Sequence, residues 1–249
     1  MVLPLRILTL ILILFLTAPS LDAQLNVRQT SGHNDLKTWL GIQYRHSFSK
    51  AWKLQLNFQT RLEQTFSLFD KNLVELEATY QPPKGKFLKL LKFGAGVRGL
   101  GVNDIRGREM GHRWGYRVYG FVSLNKKWKR WQFGYRLFYQ DQNILPSGVE
   151  TWDQAQTLRN RLAIEYNIKN WKLDPEFRVE IFYPFQQTAI TGFNLLRLGL
   201  GTQYHINKRH SLKFKLMYQR TLGLAYIEHT GILAIIYQYR TKSKKKKGK

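Results

Sequence analysis

Between residues 37 and 239 apolar and polar side chains alternate in steps of two, segment after segment. After residue 16 no apolar run approaches the roughly 20 residues that a membrane-crossing helix needs. Successive side chains of a strand point to opposite faces, so the pattern describes strands with one apolar and one polar face. Residues 158–183 show it most sharply. Leu158, Leu162, Ile164, Tyr166 and Ile168 share one face, against Arg159, Arg161, Glu165 and Asn167. After a turn expected at Lys169-Asn170, Leu173, Phe177, Val179, Ile181 and Tyr183 oppose Asp174, Glu176, Arg178 and Glu180.

The same alternation recurs in about eleven clear strands, with a weaker candidate over residues 24–32. Aromatic residues make up 14% of the chain, yet the mean hydropathy is −0.38. Membrane strands read this way, because every second side chain faces a polar interior. Connections alternate between tight (Ser49-Lys50, residues 82–86, Lys126-Lys127, Lys169-Asn170, Asn207-Lys208) and longer (residues 64–70, 100–111, 142–155, 184–192 and 221–228). A soluble sandwich also has many short strands, but it need not sort its loops this way. Phe48, Trp52, Tyr80, Trp128, Trp131, Trp171, Tyr204 and Tyr239 lie near the tight-turn ends. Trp39, Trp114, Tyr139, Tyr183 and Tyr218 lie near the others, as two interfacial girdles would require. The fold class expected is all-β: an antiparallel transmembrane β-barrel of about twelve strands, with short periplasmic turns and longer extracellular loops. Residues 24–32 supply the twelfth strand, which an even count with both ends in the periplasm demands.

Residues 1–23 read as a cleaved signal peptide: Arg6, an apolar core over residues 7–16, then small residues ending at Ala23. Residues 24–240 form the barrel domain. The chain has no cysteine, which excludes disulfides and thiolate metal sites. Its formal charge is +24, and seven of the positive charges fall in the last ten residues. Such an excess invites nucleic acid as a partner. The signal peptide and the membrane-type alternation of the arginines argue against it. Residues 241–249 are expected to be a disordered lysine-rich tail near anionic headgroups.

The polar faces carry the chemistry. Arg61, Glu75, Glu77, Arg136, Arg159, Arg161, Glu165 and Glu180 would share a barrel lumen as a charge network. Opposed or diagonal side chains on neighbouring strands can meet, which brings Arg159 or Arg161 to Glu180 and Arg61 to Glu75. Such a network either fills a narrow barrel or lines a polar conduit whose cationic excess favours anions. Catalysis has weaker support. Serines 47, 123 and 211 and histidines 46, 112, 205, 210 and 229 sit in no diagnostic motif, so no catalytic residue is assigned. No histidine spacing suits zinc, and no metal or cofactor is expected. Gly94, Gly96, Gly99 and Gly101 precede no helix, so a phosphate loop is excluded, and they read as easing barrel curvature. Pro175 suggests a bulge or the membrane edge.

Arg61-Leu62-Glu63, His112-Arg113, Arg136, residues 158–161 (LRNR), Glu165-Tyr166, Glu180 in VEIFY and the aromatic strand ending at Tyr239 carry a family likeness. Through them the chain resembles the "domain of unknown function 2490" family of exported Bacteroidota proteins, over roughly residues 37–240. The resemblance implies an outer-membrane barrel without an assigned activity and without catalytic residues to transfer. The lysine tail departs from it. The function expected is therefore a structural, binding or passive-transport element of the outer membrane; the alternative is a lipid-modifying hydrolase. Its partners would be outer-membrane lipid, periplasmic chaperones and the barrel-assembly machinery.

Overall fold

The computed structural model describes residues 34–83, 85, 87–104, 111–145, 153–169, 171–185, 194–222 and 227–242. Eleven strands follow in order: β1 (Asn34–Ser47), β2 (Trp52–Glu63), β3 (Leu68–Tyr80), β4 (Leu91–Asp104), β5 (Gly111–Trp128) and β6 (Trp131–Ile144). Then come β7 (Asp153–Tyr166), β8 (Leu173–Pro184), β9 (Leu195–His205), β10 (His210–Thr221) and β11 (His229–Lys242). Consecutive strands pair antiparallel, and β1 pairs β11 in parallel, from Asn34↔His229 to Ser47↔Lys242, closing a barrel.

The clear strands read from the alternation are these eleven. The twelfth, expected over residues 24–32, lies outside the described residues, and the ring closes without it. In an up-and-down ring of odd number the first and last strands run the same way, so one pair must be parallel.

Several boundaries differ from expectation. β5 runs through Trp128, which moves the turn from Lys126-Lys127 to Lys129-Arg130, with Lys129 at φ 53°. The β2–β3 connection is short, residues 64–67, because Gln64, Thr65 and Phe66 adopt positive φ and reverse the chain at once. The β3–β4 connection, expected to be tight, spans residues 81–90 and holds a 3-10 turn at Leu88–Leu90. Loop length therefore sorts the two ends less cleanly than the alternation suggested. β11 extends through Lys242, and Thr241 Oγ1 meets His46 Nδ1 at 2.7 Å, so the strand runs two residues beyond the expected barrel end. Pro175 opposes Thr202 on β9, while pairing with β7 stops at Glu176; its missing N–H sits where that ladder has ended.

The two faces are inverted relative to a soluble domain. Outward side chains are apolar and exposed: Ile42 is 59% exposed, Leu162 58% and Val118 51%. Inward ones are polar and buried, among them Glu75, Ser123, Glu180, Ser211 and Gln238. Gly94 and Gly96 on β4 also point inward, and a Cβ on either would overlap the ring of Phe121 or Tyr119 from β5. These glycines leave room for inward aromatic rings, a more specific role than easing curvature.

Candidate functional site: the charged lumen

Glu180 on β8 is the centre of the lumen network. Strand register puts Arg161 of β7 directly opposite it on one side and Arg197 of β9 on the other. Arg159 lies two residues along β7, within diagonal reach, and Arg178 lies two residues before Glu180 on the same face of β8. The Arg159 Nη2 to Glu180 Oε2 distance is 2.8 Å, Arg197 Nη1 to Oε2 is 3.2 Å and Arg161 Nη1 to Oε1 is 3.5 Å. Arg178 Nη1 stands 4.0 Å from Oε1. Four guanidinium groups thus share one carboxylate that is 2% exposed. Aromatic rings fix the forks. Arg159 lies 4.7 Å from the Phe182 ring and 5.0 Å from that of Phe138, while Arg197 lies 4.9 Å from Phe182 and 5.4 Å from Trp39. Cations over π faces gain energy that grows with desolvation.

The other sequence-derived site residues are spread around the wall. Glu75 pairs with Arg98, its register partner on β4. Arg61 was expected at Glu75; it instead opposes Lys71, donates to Gln59 Oε1 at 3.0 and 3.1 Å and stacks 3.9 Å from Trp39. Register decides this, because Glu75 stands opposite Asn57 on β2. Glu77 accepts from the Tyr119 hydroxyl at 3.1 Å. Arg136 donates from Nε to Ser123 Oγ at 2.8 Å and lies 4.1 Å from the Phe121 ring. Glu165 faces Glu176 across the β7–β8 pair, and among the described residues no cation comes within 4.0 Å of it. Glu176 itself is bound by Arg178.

Three inward aromatics had escaped the sequence reading. Trp39, placed there in the outer girdle, points into the lumen and packs against Met217, Ile232 and Ala234. Phe138 and Phe182 line the same space. Each lies an even number of residues from an inward arginine or glutamate, Arg136 and Glu180 among them, so parity alone would have found them. Their apolar character concealed it.

The lumen cavity measures about 570 Å³ and is lined by eleven cationic side chains and five carboxylates. Its acceptors are carboxylates, side-chain amides and hydroxyls, that of Ser123 among them. Among the described residues no serine hydrogen-bonds a histidine: Ser123 is held by Arg136, Ser211 by Gln203 and Gln238, and His210 by Tyr237. No group of three metal-ligating side chains gathers among them either.

A family model described as "Protein of unknown function (DUF2490)" matches residues 36–225. No curated protein matches the chain. Among solved structures the barrel is similar to the β domain of the Bordetella autotransporter BrkA, at 12% identity and a TM-score of 0.48, over 77% of this chain and 84% of that one.

Proposed function

As the chain belongs to the DUF2490 family of proteins of unknown function, we propose that it is an outer-membrane β-barrel whose charged lumen acts as a binding or passive-transport element. One observation carries the reading: a closed sheet with exposed apolar side chains outside and a buried ionic network inside. Such a sheet satisfies every backbone group within lipid and leaves no edge. Strands of 11 to 18 residues meet or exceed the 9–11 or so that a tilted membrane strand requires. Aromatic pairs at both ends support the two girdles. Trp52–Tyr80 (4.9 Å) and Trp131–Tyr166 (4.6 Å) mark the tight-turn end, and Tyr183–Phe185 (5.5 Å) the other.

In this reading residues 1–23 export the chain, and the assembly machinery and chaperones insert it with tight turns toward the periplasm. The basic residues 243–249 then lie against anionic headgroups on that side. Cell fractionation, with a gel comparing boiled and unboiled samples, tests the location. The expected result is a heat-modifiable band in the outer membrane for the full chain. Recovery in the soluble periplasm would sink the proposal.

A further inference from the structure

Four cations on the tight-turn half of the lumen are held by neutral groups. Arg45 donates twice to Gln55 Oε1, at 2.7 and 3.2 Å, Lys213 Nζ donates to Gln43 Oε1 at 2.8 Å, and Arg240 Nε donates to Gln238 Oε1 at 2.8 Å. Arg136 has the Ser123 hydroxyl. Lys215, enclosed by the sheet, has no hydrogen-bond acceptor among the described residues, although it faces the same cavity. None of these five has a carboxylate within 4.0 Å among the described residues. The opposite half is mixed: Lys37 is bound to Glu63 at 2.8 Å and Lys71 to Asp70 at 3.0 Å, while Arg61 and Arg117 are held by the amides of Gln59 and Gln142, each through two donors, and the Glu180 cluster lies between the two halves.

A glutamine carbonyl orients a guanidinium or ammonium group without neutralising it. A carboxylate does both. These neutral partners therefore leave directed, uncompensated positive charge pointing at the lumen, from β1, β6 and β10. Inside a low-dielectric wall such charges act strongly on a counter-ion. A guanidinium fork matches two oxygens of an oxyanion at once. Glu77, Glu165 and Glu176 also line the cavity, but they are outnumbered.

We propose that Arg45, Arg136, Lys213 and Lys215 form a binding site for a multivalent oxyanion of the phosphate class, reached through the lumen. The inference rests on the reading of the chain as a barrel with a charged lumen and names the ligand class of that lumen. Because the sheet encloses the site, its ligand is a free, water-borne anion and not a lipid headgroup.

The test uses the full purified barrel, folded in detergent as judged by heat modifiability, titrated calorimetrically with inorganic phosphate. Saturable binding is expected, weakened by about tenfold or more when Lys213→Gln and Lys215→Gln are combined. Lys215→Arg, which keeps the charge, retains binding, as does Lys37→Gln at the far mouth. A short-chain phosphatidylglycerol in the same micelles does not compete. A folded wild-type barrel that binds no phosphate overturns the site, as does a double variant that binds as wild type or a lipid that displaces phosphate. These outcomes leave the membrane location untouched, since fractionation decides that separately.

Discussion

Glu180 holds four arginines around one buried carboxylate, and at the scale of single residues it is where a small change has the largest consequence. Taking ions out of water is costly, and what offsets the cost is mutual attraction with good geometry. Glu180→Gln keeps the shape and removes the charge, leaving like charges within reach of one another. The expected loss is about 3–5 kcal/mol of stability, read as a lower urea midpoint for barrel unfolding in lipid vesicles. An unchanged midpoint would mean that water already screens the arginines. Glu165→Gln should do far less, because no cation pairs with Glu165 among the described residues. The proximity of Arg159 and Arg161 to Glu180 was legible from hairpin geometry, since all three share one face. Arg178 stands two residues before Glu180 on the same face of the same strand, so it too was within local reading; the arrival of Arg197 was not, because it needs the β8–β9 register.

At the scale of elements, β4 and β5 are complementary. The inward face of β4 is small where that of β5 is large: Gly94 opposes Phe121 and Gly96 opposes Tyr119 in register. Glycine within a strand often marks a close approach by a neighbour, and here the neighbour is a ring lying over the backbone. Gly94→Ala should cost about 1–3 kcal/mol through overpacking. Adding Phe121→Leu should restore part of that loss, because neighbours in contact are not additive. Urea unfolding of the two single variants and the pair measures this coupling. Independent, purely additive effects would show that the ring does not occupy the glycine's space. The identity of both faces was visible in the alternation. Which glycine meets which ring depended on a register that no local pattern contains.

At the scale of the molecule, closure is the decisive feature. Leu40 of β1 and Ile235 of β11 are partners across the parallel seam. Adjacent strands lie about 4.8 Å apart, so a further strand between them would separate the pair by roughly 9.6 Å, beyond the reach of a disulfide. The chain contains no cysteine, so Leu40→Cys with Ile235→Cys can be read without background. Oxidation of the folded double variant should cross-link β1 to β11, detected by mass after proteolysis between them. A folded barrel that fails to cross-link would argue for a twelve-strand ring, with residues 24–32 inserted at the seam.

The alternation by itself determined that the described chain is built of two-faced strands, where most of them run, and that Arg61, Glu75, Glu77, Arg136, Arg159, Arg161, Glu165 and Glu180 lie on polar faces. That knowledge is local, because a strand's period of two is a property of its own backbone. Tertiary structure decided the rest. It set the ring at eleven strands, gave Glu75 to Arg98, and left Lys213 and Lys215 facing amides and open space. Those outcomes follow from register and closure, which couple residues far apart in the chain. They are fixed only when every strand has found its neighbours.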